Sequence, residues 1–139
     1  MGKRYEELGH TADIRFRIYG ADERELFSNA AFALFDKMVD LSAVRASEAI
    51  EVEVSGADAE ETLVNFLSEI LYRFDAEKFI ARECEIKELS PGGVKSVCRG
   101  ERFDPAKHEF RHHIKAVTFH DVKIENTPDG LAVTITCDV

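Results

Sequence analysis

The chain has 139 residues, of which 45% are apolar and 32% charged, and its formal net charge at pH 7 is −9. This length predicts a single compact domain over residues 1–139, and the acidic balance argues against direct nucleic-acid binding, which needs clustered Lys and Arg. No apolar run approaches the roughly 20 residues that span a bilayer, and Met1–Glu7 lacks the apolar stretch of a secretory signal, so we expect a cytoplasmic protein with no membrane contact.

The start of the chain predicts a strand followed by a helix. Apolar and polar residues alternate over 14–19, as in a strand with one buried face, and Gly20 ends the run. Asp22 and Glu25 have the spacing of a helix capping box. Apolar residues then recur at helical spacing over 26–38, which indicates an amphipathic helix packed on a sheet.

The next segment predicts a second strand and a second helix. Alternation over 50–55 ends at Gly56, Asp58 and Glu61 have the capping spacing again, and 63–74 has a broad apolar face. Apart from this reused cap pattern, no internal repeat, linker or low-complexity segment is evident.

The second half of the chain is rich in strand patterns. We predict strands over 79–89 and 94–103 around the turn Ser90–Gly93, over 114–120 and 122–125, and over 131–137 after the turn Pro128–Gly130. The basic stretch 107–115 is interpreted as a solvated loop. Helices early and hairpins late favour an α+β fold, in which two amphipathic helices pack on an antiparallel or mixed β-sheet.

The three cysteines are Cys84, Cys98 and Cys137. Their number is odd and they lack the short paired spacing of a zinc or redox motif. Each lies in a strand-like run, so we interpret them as reduced core residues without a disulfide partner. A reactive thiol is the alternative.

Motifs of common enzymes are absent. The sequence has no phosphate-binding glycine loop, no dinucleotide fingerprint and no serine nucleophile elbow, and we assign no catalytic residue. The remaining polar candidates are His10, Asp13, Lys115, His120 and Asp138. Lys115 and His120 are an odd number of residues apart and would point to opposite faces of a regular strand.

Two carboxylates stand at strand ends. Asp13 precedes the first strand and Asp138 follows the last, and Val139 adds a carboxylate or carbonyl oxygen. If these strands are neighbours, the three residues form an all-oxygen site that suits Ca²⁺ or Mg²⁺ better than zinc. In the alternative interpretation, Asp13 accepts hydrogen bonds from backbone amides and His10 is a hydrogen-bonded loop residue.

Several blocks of residues along the chain are informative together through their order and spacing, although no single one is decisive. The blocks are Tyr5-Glu6 with His10-Thr11-Ala12-Asp13-Ile14, Glu25–Ala31 with Ala33-Leu34-Phe35, Leu63–Leu67 with Glu69–Tyr72, Gly100-Glu101 with Phe103-Asp104-Pro105 and His108, Ile114–His120, and Asp138-Val139. On these blocks the sequence resembles the archease family over essentially its full length.

The resemblance implies an accessory protein in tRNA splicing. Archeases activate the GTP-dependent RtcB-type RNA ligase by promoting guanylylation of its active-site histidine and multiple turnover, and they are not enzymes themselves. The family's metal site falls on Asp13, Asp138 and Val139, with Ca²⁺ expected first and Mg²⁺ or Mn²⁺ as alternatives. His10, Lys115 and His120 would support the metal ligands or contact the ligase.

Two positions depart from the family pattern. Asn65 stands where an Asp is frequent, which weakens any role for a carboxylate from the second helix, and Leu131 stands where an aromatic residue, often Trp, is common. Two other functions stay open, a free-standing metal-dependent phosphoester hydrolase with His10 or His120 as general base, and a general chaperone of nucleic-acid-processing proteins.

Overall fold

The fold is described by a computed structural model for residues 2–9 and 12–139. The strands are β1 (Tyr5–Glu7), β2 (Ile14–Gly20), β3 (Glu48–Ser55), β4 (Phe79–Ser90), β5 (Gly93–Arg102), β6 (Ala116–Val117), β7 (Glu125–Thr127) and β8 (Gly130–Asp138). The helices are α1 (Glu23–Met38), α2 (Ala59–Glu77) and a short 3₁₀ turn, Leu41–Ala43. The predicted α+β class is confirmed.

The strands form two sheets, and all strand pairs among the described residues are antiparallel. The five-stranded sheet has the order β1-β2-β8-β6, with β7 also paired to β8, and the three-stranded sheet has the order β3-β5-β4. Strand β2 and the last strand, β8, therefore lie side by side in the middle of one sheet. This neighbourhood is the condition on which the predicted metal site depends.

The two helices connect the sheets through one hydrophobic core. Helix α1 packs against β2 of one sheet and β4 of the other, whereas α2 packs mainly on the three-stranded sheet. The rings of Phe27 and Phe66 join the helices, with centroids 5.9 Å apart, and both side chains are fully buried. Burial of such large apolar side chains is the main driving force for this arrangement.

The two strand–helix units have the same local design, which extends the reused cap pattern of the sequence to the preceding glycine and alanine. The sequence Gly-Ala-Asp-x-x-Glu occurs at 20–25 and again at 56–61. In each copy the Asp side chain accepts a hydrogen bond from the backbone N–H of the Glu, and the Glu side chain accepts one from the N–H of the Ala. Both predicted N-caps are thereby confirmed, and the return bond of each Glu is made to the residue before the cap rather than to the cap itself.

The strands predicted over 114–120 and 122–125 are wrong in extent. Only Ala116–Val117 and Glu125–Thr127 pair with β8. The chain leaves the sheet at Thr118, whose backbone N–H and hydroxyl both donate to the Thr136 carbonyl at 3.0 Å. A turn follows, with Asp121 at φ 50°. The apolar pattern identified Ile114 and Val117 as buried, but Phe119 is 59% exposed, because the chain has left the sheet before that residue.

The interpretation of the cysteines is correct for burial and wrong for pairing. All three are buried, but Cys84 and Cys98 are direct partners in the β4–β5 ladder and form a disulfide. Cys137 is free, and burial, followed by the charge of Asp138, raises its pKa to about 12. This thiol stays protonated near neutral pH, which argues against the alternative of a reactive cysteine.

The two positions that depart from the family pattern have structural roles. The Asn65 amide donates to the Ser55 carbonyl at 2.8 Å, a bond that an ionised carboxylate could not donate. Leu131 is half-buried and packs against the core.

Within the described part of the chain, no helix is long and apolar enough to cross a membrane.

Candidate functional site

The register of β2 and β8 places polar residues on the sheet face that is turned away from the core. Ile14 is opposite Cys137 and both are buried, whereas Arg15 is opposite Thr136 and Arg17 is opposite Thr134. Residues directly opposite each other in an antiparallel pair point to the same face. Arginine and threonine side chains therefore form two successive cross-strand pairs on the outer face.

The two predicted metal-binding carboxylates lie at the end of this row. Asp13 precedes Ile14 and Asp138 follows Cys137, so the same register brings the two residues to one sheet end, and both are exposed. Lys115 is beside them, because its backbone N–H donates to the Asp138 carbonyl at 2.8 Å. Val139 follows Asp138 directly and is 40% exposed.

A cleft of ≈590 Å³ covers the outer face next to these carboxylates, and its lining includes Asp13, Arg15, Arg17, Lys123 and His120. His120 follows the exit of the chain from β6, in the turn that also contains Asp121. Since this segment is not a regular strand, the prediction that Lys115 and His120 point to opposite faces does not apply. His10 lies outside the described residues.

The charges that line the cleft are partly paired. Arg17 donates to the Glu125 carboxylate at 3.0 Å and to the Thr134 hydroxyl at 3.2 Å, and His120 Nε2 lies 3.1 Å from Asp121 Oδ2. Arg15 and Lys123 have no ion pair with any residue that the structure describes. These two cations are exposed and remain available to an incoming anion.

The donor chemistry of the sheet end fits a hard divalent cation. Asp13 and Asp138 offer carboxylate oxygens, Val139 offers a carboxylate or carbonyl oxygen, and such all-oxygen sets suit Ca²⁺ or Mg²⁺. Over residues 2–9 and 12–139, no three His, Cys, Asp or Glu side chains converge as metal ligands. A site here therefore depends on an oxygen of Val139 or on water to complete the coordination.

Sequence reasoning did not assign a role to a second polar cluster, centred on Glu101. Its carboxylate accepts from Lys107 Nζ at 2.8 Å, from His108 Nε2 at 2.8 Å and from the Arg45 backbone N–H at 2.9 Å. His108 is buried, and its Nδ1 accepts from the Asp104 N–H at 2.9 Å, which makes Nε2 the donor to Glu101. These bonds, with that from Lys107 the largest cause, lower the Glu101 pKa to about 2.

The Glu101 cluster is structural rather than catalytic. It fastens the irregular segment after β5 to the body of the protein, and Phe103 and Phe110 continue the same anchor by packing edge-to-face with ring centroids 6.0 Å apart. The buried position of His108 leaves no access for a substrate. Sequence spacing gives no signal for this contact. Glu101 lies at the end of a strand and His108 lies in a loop, so no regular periodicity relates their side chains.

Comparison with known proteins agrees with this architecture. Residues 5–139 match the Archease protein family (MTH1598/TM1083). The chain belongs to the archease family. The protein archease of Pyrococcus abyssi is 46% identical over 131 residues, covering 92% of each chain. The protein archease of Methanosarcina acetivorans is 37% identical over 143 aligned positions, covering 100% of this chain and 98% of the relative.

Solved structures support the archease fold. The solution structure of Methanobacterium thermoautotrophicum protein 1598 has a TM-score of 0.81 and 32% identity, and the match covers 98% of this chain and 99% of that one. A crystal structure from Thermotoga maritima, described as an archease and possible chaperone, covers 100% of both chains with a TM-score of 0.68 and 22% identity. At that identity the second likeness concerns the fold alone.

Proposed function

We propose that this protein is an accessory factor that activates an RtcB-type RNA ligase in tRNA splicing. It would promote guanylylation of the ligase and multiple turnover, and a divalent cation, Ca²⁺ first, would be bound by Asp13, Asp138 and Val139. The observation that carries the proposal is the β2–β8 register, which brings Asp13 and Asp138 to one exposed sheet end. Family membership supports an accessory role in general.

The residues around the sheet end suggest how activation would work. A cation held there would supply positive charge close to a partner's nucleotide, and phosphoryl-type transfer depends mainly on such charge neutralisation and alignment. Lys115, fixed beside Asp138 by its backbone, and His120, which lines the cleft, would contact the ligase. The protein's net charge of −9 favours a basic partner surface.

A guanylylation assay of the ligase, with and without this chain, tests the proposal. We expect wild type to accelerate nucleotidyl transfer at least tenfold and Asp138→Ala or Asp13→Ala to abolish the acceleration. Asp129→Ala is the matched control, since Asp129 is an exposed carboxylate in the β7–β8 turn. Failure of wild type to accelerate the ligase contradicts the activator function, and full activity of both Asp variants contradicts the metal site alone.

A chaperone function is the second candidate, and exposed apolar side chains favour it. Phe119 and Tyr72 are each 59% exposed, and the Thermotoga maritima archease is described as a possible chaperone. Suppression of the aggregation of unrelated proteins, lost in Phe119→Ser and unaffected by Asp138→Ala, would identify this activity. Hydrolysis of a phosphoester by the isolated protein, abolished by Asp138→Ala, would identify the hydrolase alternative instead.

A further inference from the structure

The cleft on the outer face of the five-stranded sheet combines cations, hydroxyls and carboxylates. Arg15, Arg17 and Lys123 line it on a protein whose net charge is −9. The carboxylates of Asp13, Asp121 and Glu125 line the same cleft, and Glu125 pairs with Arg17 while Asp121 pairs with His120. Within the described part of the chain, Arg15 and Lys123 are therefore the lining cations that have no ion pair. The cleft volume of ≈590 Å³ lies in the range of small-molecule sites, about 300–1,000 Å³.

The donors on the cleft floor are arranged in a row. The pairs Arg15–Thr136 and Arg17–Thr134 are two residues apart along β2, which corresponds to about 6.6 Å on a strand. Each pair includes a guanidinium, whose fork of N–H groups suits phosphate oxygens. Thr134 is half-buried and Thr136 is buried, so the guanidinium groups would make the main contacts. Arg17 is already oriented by its bonds to Glu125 and Thr134, whereas Arg15 is exposed and has no ion pair with a described residue.

The carboxylates at one end of the row explain which anion would fit. Divalent ions such as Mg²⁺ are commonly bound by one or two carboxylates together with substrate phosphates. Asp13 and Asp138 would hold the ion at the sheet end while the arginines contact phosphates further along. A peptide carboxylate has too little charge to engage both ends of such a row.

The lining also indicates what the cleft would not recognise. Among the described residues, the His120 imidazole is the one aromatic group that lines the cleft, and no lining side chain is aliphatic, whereas nucleobases are held mainly by stacking and apolar contact. A ligand would therefore be recognised through its phosphates, with little discrimination between bases.

We propose that this cleft binds the oligophosphate group of a nucleoside triphosphate, through Arg15, Arg17 and Lys123, beside a divalent cation at Asp13 and Asp138. The proposal deepens the proposed function, because it names a ligand class for the same site and makes the isolated protein a nucleotide carrier. It requires no ligase for its test.

Titration of the isolated protein by NMR and calorimetry tests the proposal. The probes are inorganic triphosphate, ATP, GTP and guanosine, each with Ca²⁺ and with a chelator. We expect saturable binding of the three phosphate compounds within a factor of three of one another, none of guanosine, and shifts centred on the amides of β2 and β8. Binding should weaken at least tenfold in Arg15→Gln and fivefold in Lys123→Gln, and Asp138→Asn should lower affinity only in the Ca²⁺ arm.

Lys95→Gln is the matched control, because Lys95 is an exposed cation on the outer face of the other sheet. No saturable binding with or without Ca²⁺, an equal loss in Lys95→Gln and Arg15→Gln, or tighter binding of a single-stranded oligonucleotide than of triphosphate would each overturn the proposal. Ligase activation without phosphate binding rejects this inference alone, and phosphate binding without activation rejects the proposed function alone.

Discussion

The two strand–helix units, residues 14–38 and 48–77, share a backbone design but carry different charges on their strands. In each unit the sequence Gly-Ala-Asp-x-x-Glu connects the end of the strand to a capped helix. The outward-facing positions of β2 are Arg15 and Arg17, whereas the equivalent positions of β3 are Glu51 and Glu53. The shared residues form the scaffold, and the residues that differ create the candidate site in the first unit only.

The two strands also differ in their position within the sheet. Strand β2 lies between β1 and β8, and β8 brings Asp138 and the two threonines to its outer face. Strand β3 is an edge strand, and its equivalent of Asp13 is Ala49. The second unit therefore serves as an internal control, in which the same local design is present without the cleft.

The largest expected effect is on triphosphate affinity, when an arginine of the first unit is replaced by the glutamate found at the equivalent position of the second. Arg15→Glu should lower triphosphate affinity by about 10- to 100-fold, because a hydrogen bond to a charged group is worth about 1.5–3 kcal/mol. Arg15 is exposed, so the free energy of unfolding should change by about 0.5 kcal/mol at most. The reciprocal change Glu51→Arg should leave affinity unaltered, and an equal loss there would mean that only net charge matters.

The glycines that precede the caps should tolerate no side chain. A Cβ on Gly20 would lie 2.4 Å from the Leu26 backbone nitrogen, and one on Gly56 would lie 2.6 Å from that of Thr62. Overpacking typically costs about 1–3 kcal/mol, and we expect Gly20→Ala near the upper value because its closest neighbours are all backbone atoms. Urea unfolding measures both costs, with Gly9→Ala, which meets no atom within 4 Å, as the control. Unfolding midpoints equal to that of Gly9→Ala would refute the close approach.

Replacement of the asparagine in each helix should give a smaller difference in unfolding free energy between the two units. Asn29 donates to the Tyr19 carbonyl at 2.7 Å and accepts from Arg4 Nε at 2.8 Å. Asn65 makes the equivalent bond to Ser55 and no second side-chain bond to any residue that the structure describes. Each net hydrogen bond is worth about 0.5–1.5 kcal/mol. Asn29→Ala should therefore cost about twice as much in unfolding free energy as Asn65→Ala. Thermal unfolding of both variants gives the comparison, and equal costs would show that Arg4 contributes nothing.

The parts of the fold that follow from local chemistry could be predicted from the sequence. Both N-caps and both helices depend on contacts between residues close in the chain. The last strand follows the alternation of its own residues, although its main partner in the sheet is the distant strand β2. The repeat was also visible in the identical spacing at 20–25 and 56–61, but only the structure shows that Asn29 and Asn65 close it in the same way. Local signals are sufficient where the partner lies within about one helical turn.

The parts that depend on register could not be predicted. The opposition of Cys84 and Cys98 needs the alignment of β4 with β5, and the row of Arg15 and Arg17 on the cleft floor needs that of β2 with β8. A shift of one residue would turn every side chain to the other face. Asp13 and Asp138 were identified in the sequence, but the arginines beside them became candidates only when the register placed them over one cleft.

Removal of the helix caps should give the smallest difference in stability between the two units. Asp22 accepts from the Glu25 N–H at 2.9 Å and Asp58 from the Glu61 N–H at 2.8 Å. Loss of an N-cap side chain costs about 1 kcal/mol, so Asp22→Ala and Asp58→Ala should lower the unfolding free energy by the same amount. Because the two caps share no partner, the double variant should lose the sum of both. Urea denaturation measures the stability of all three variants. The cap variants are also controls for the triphosphate titration, because neither Asp lines the cleft. A cap variant that lowered triphosphate affinity while leaving stability intact would mean that the scaffold and the site are not separable in the way the two units suggest.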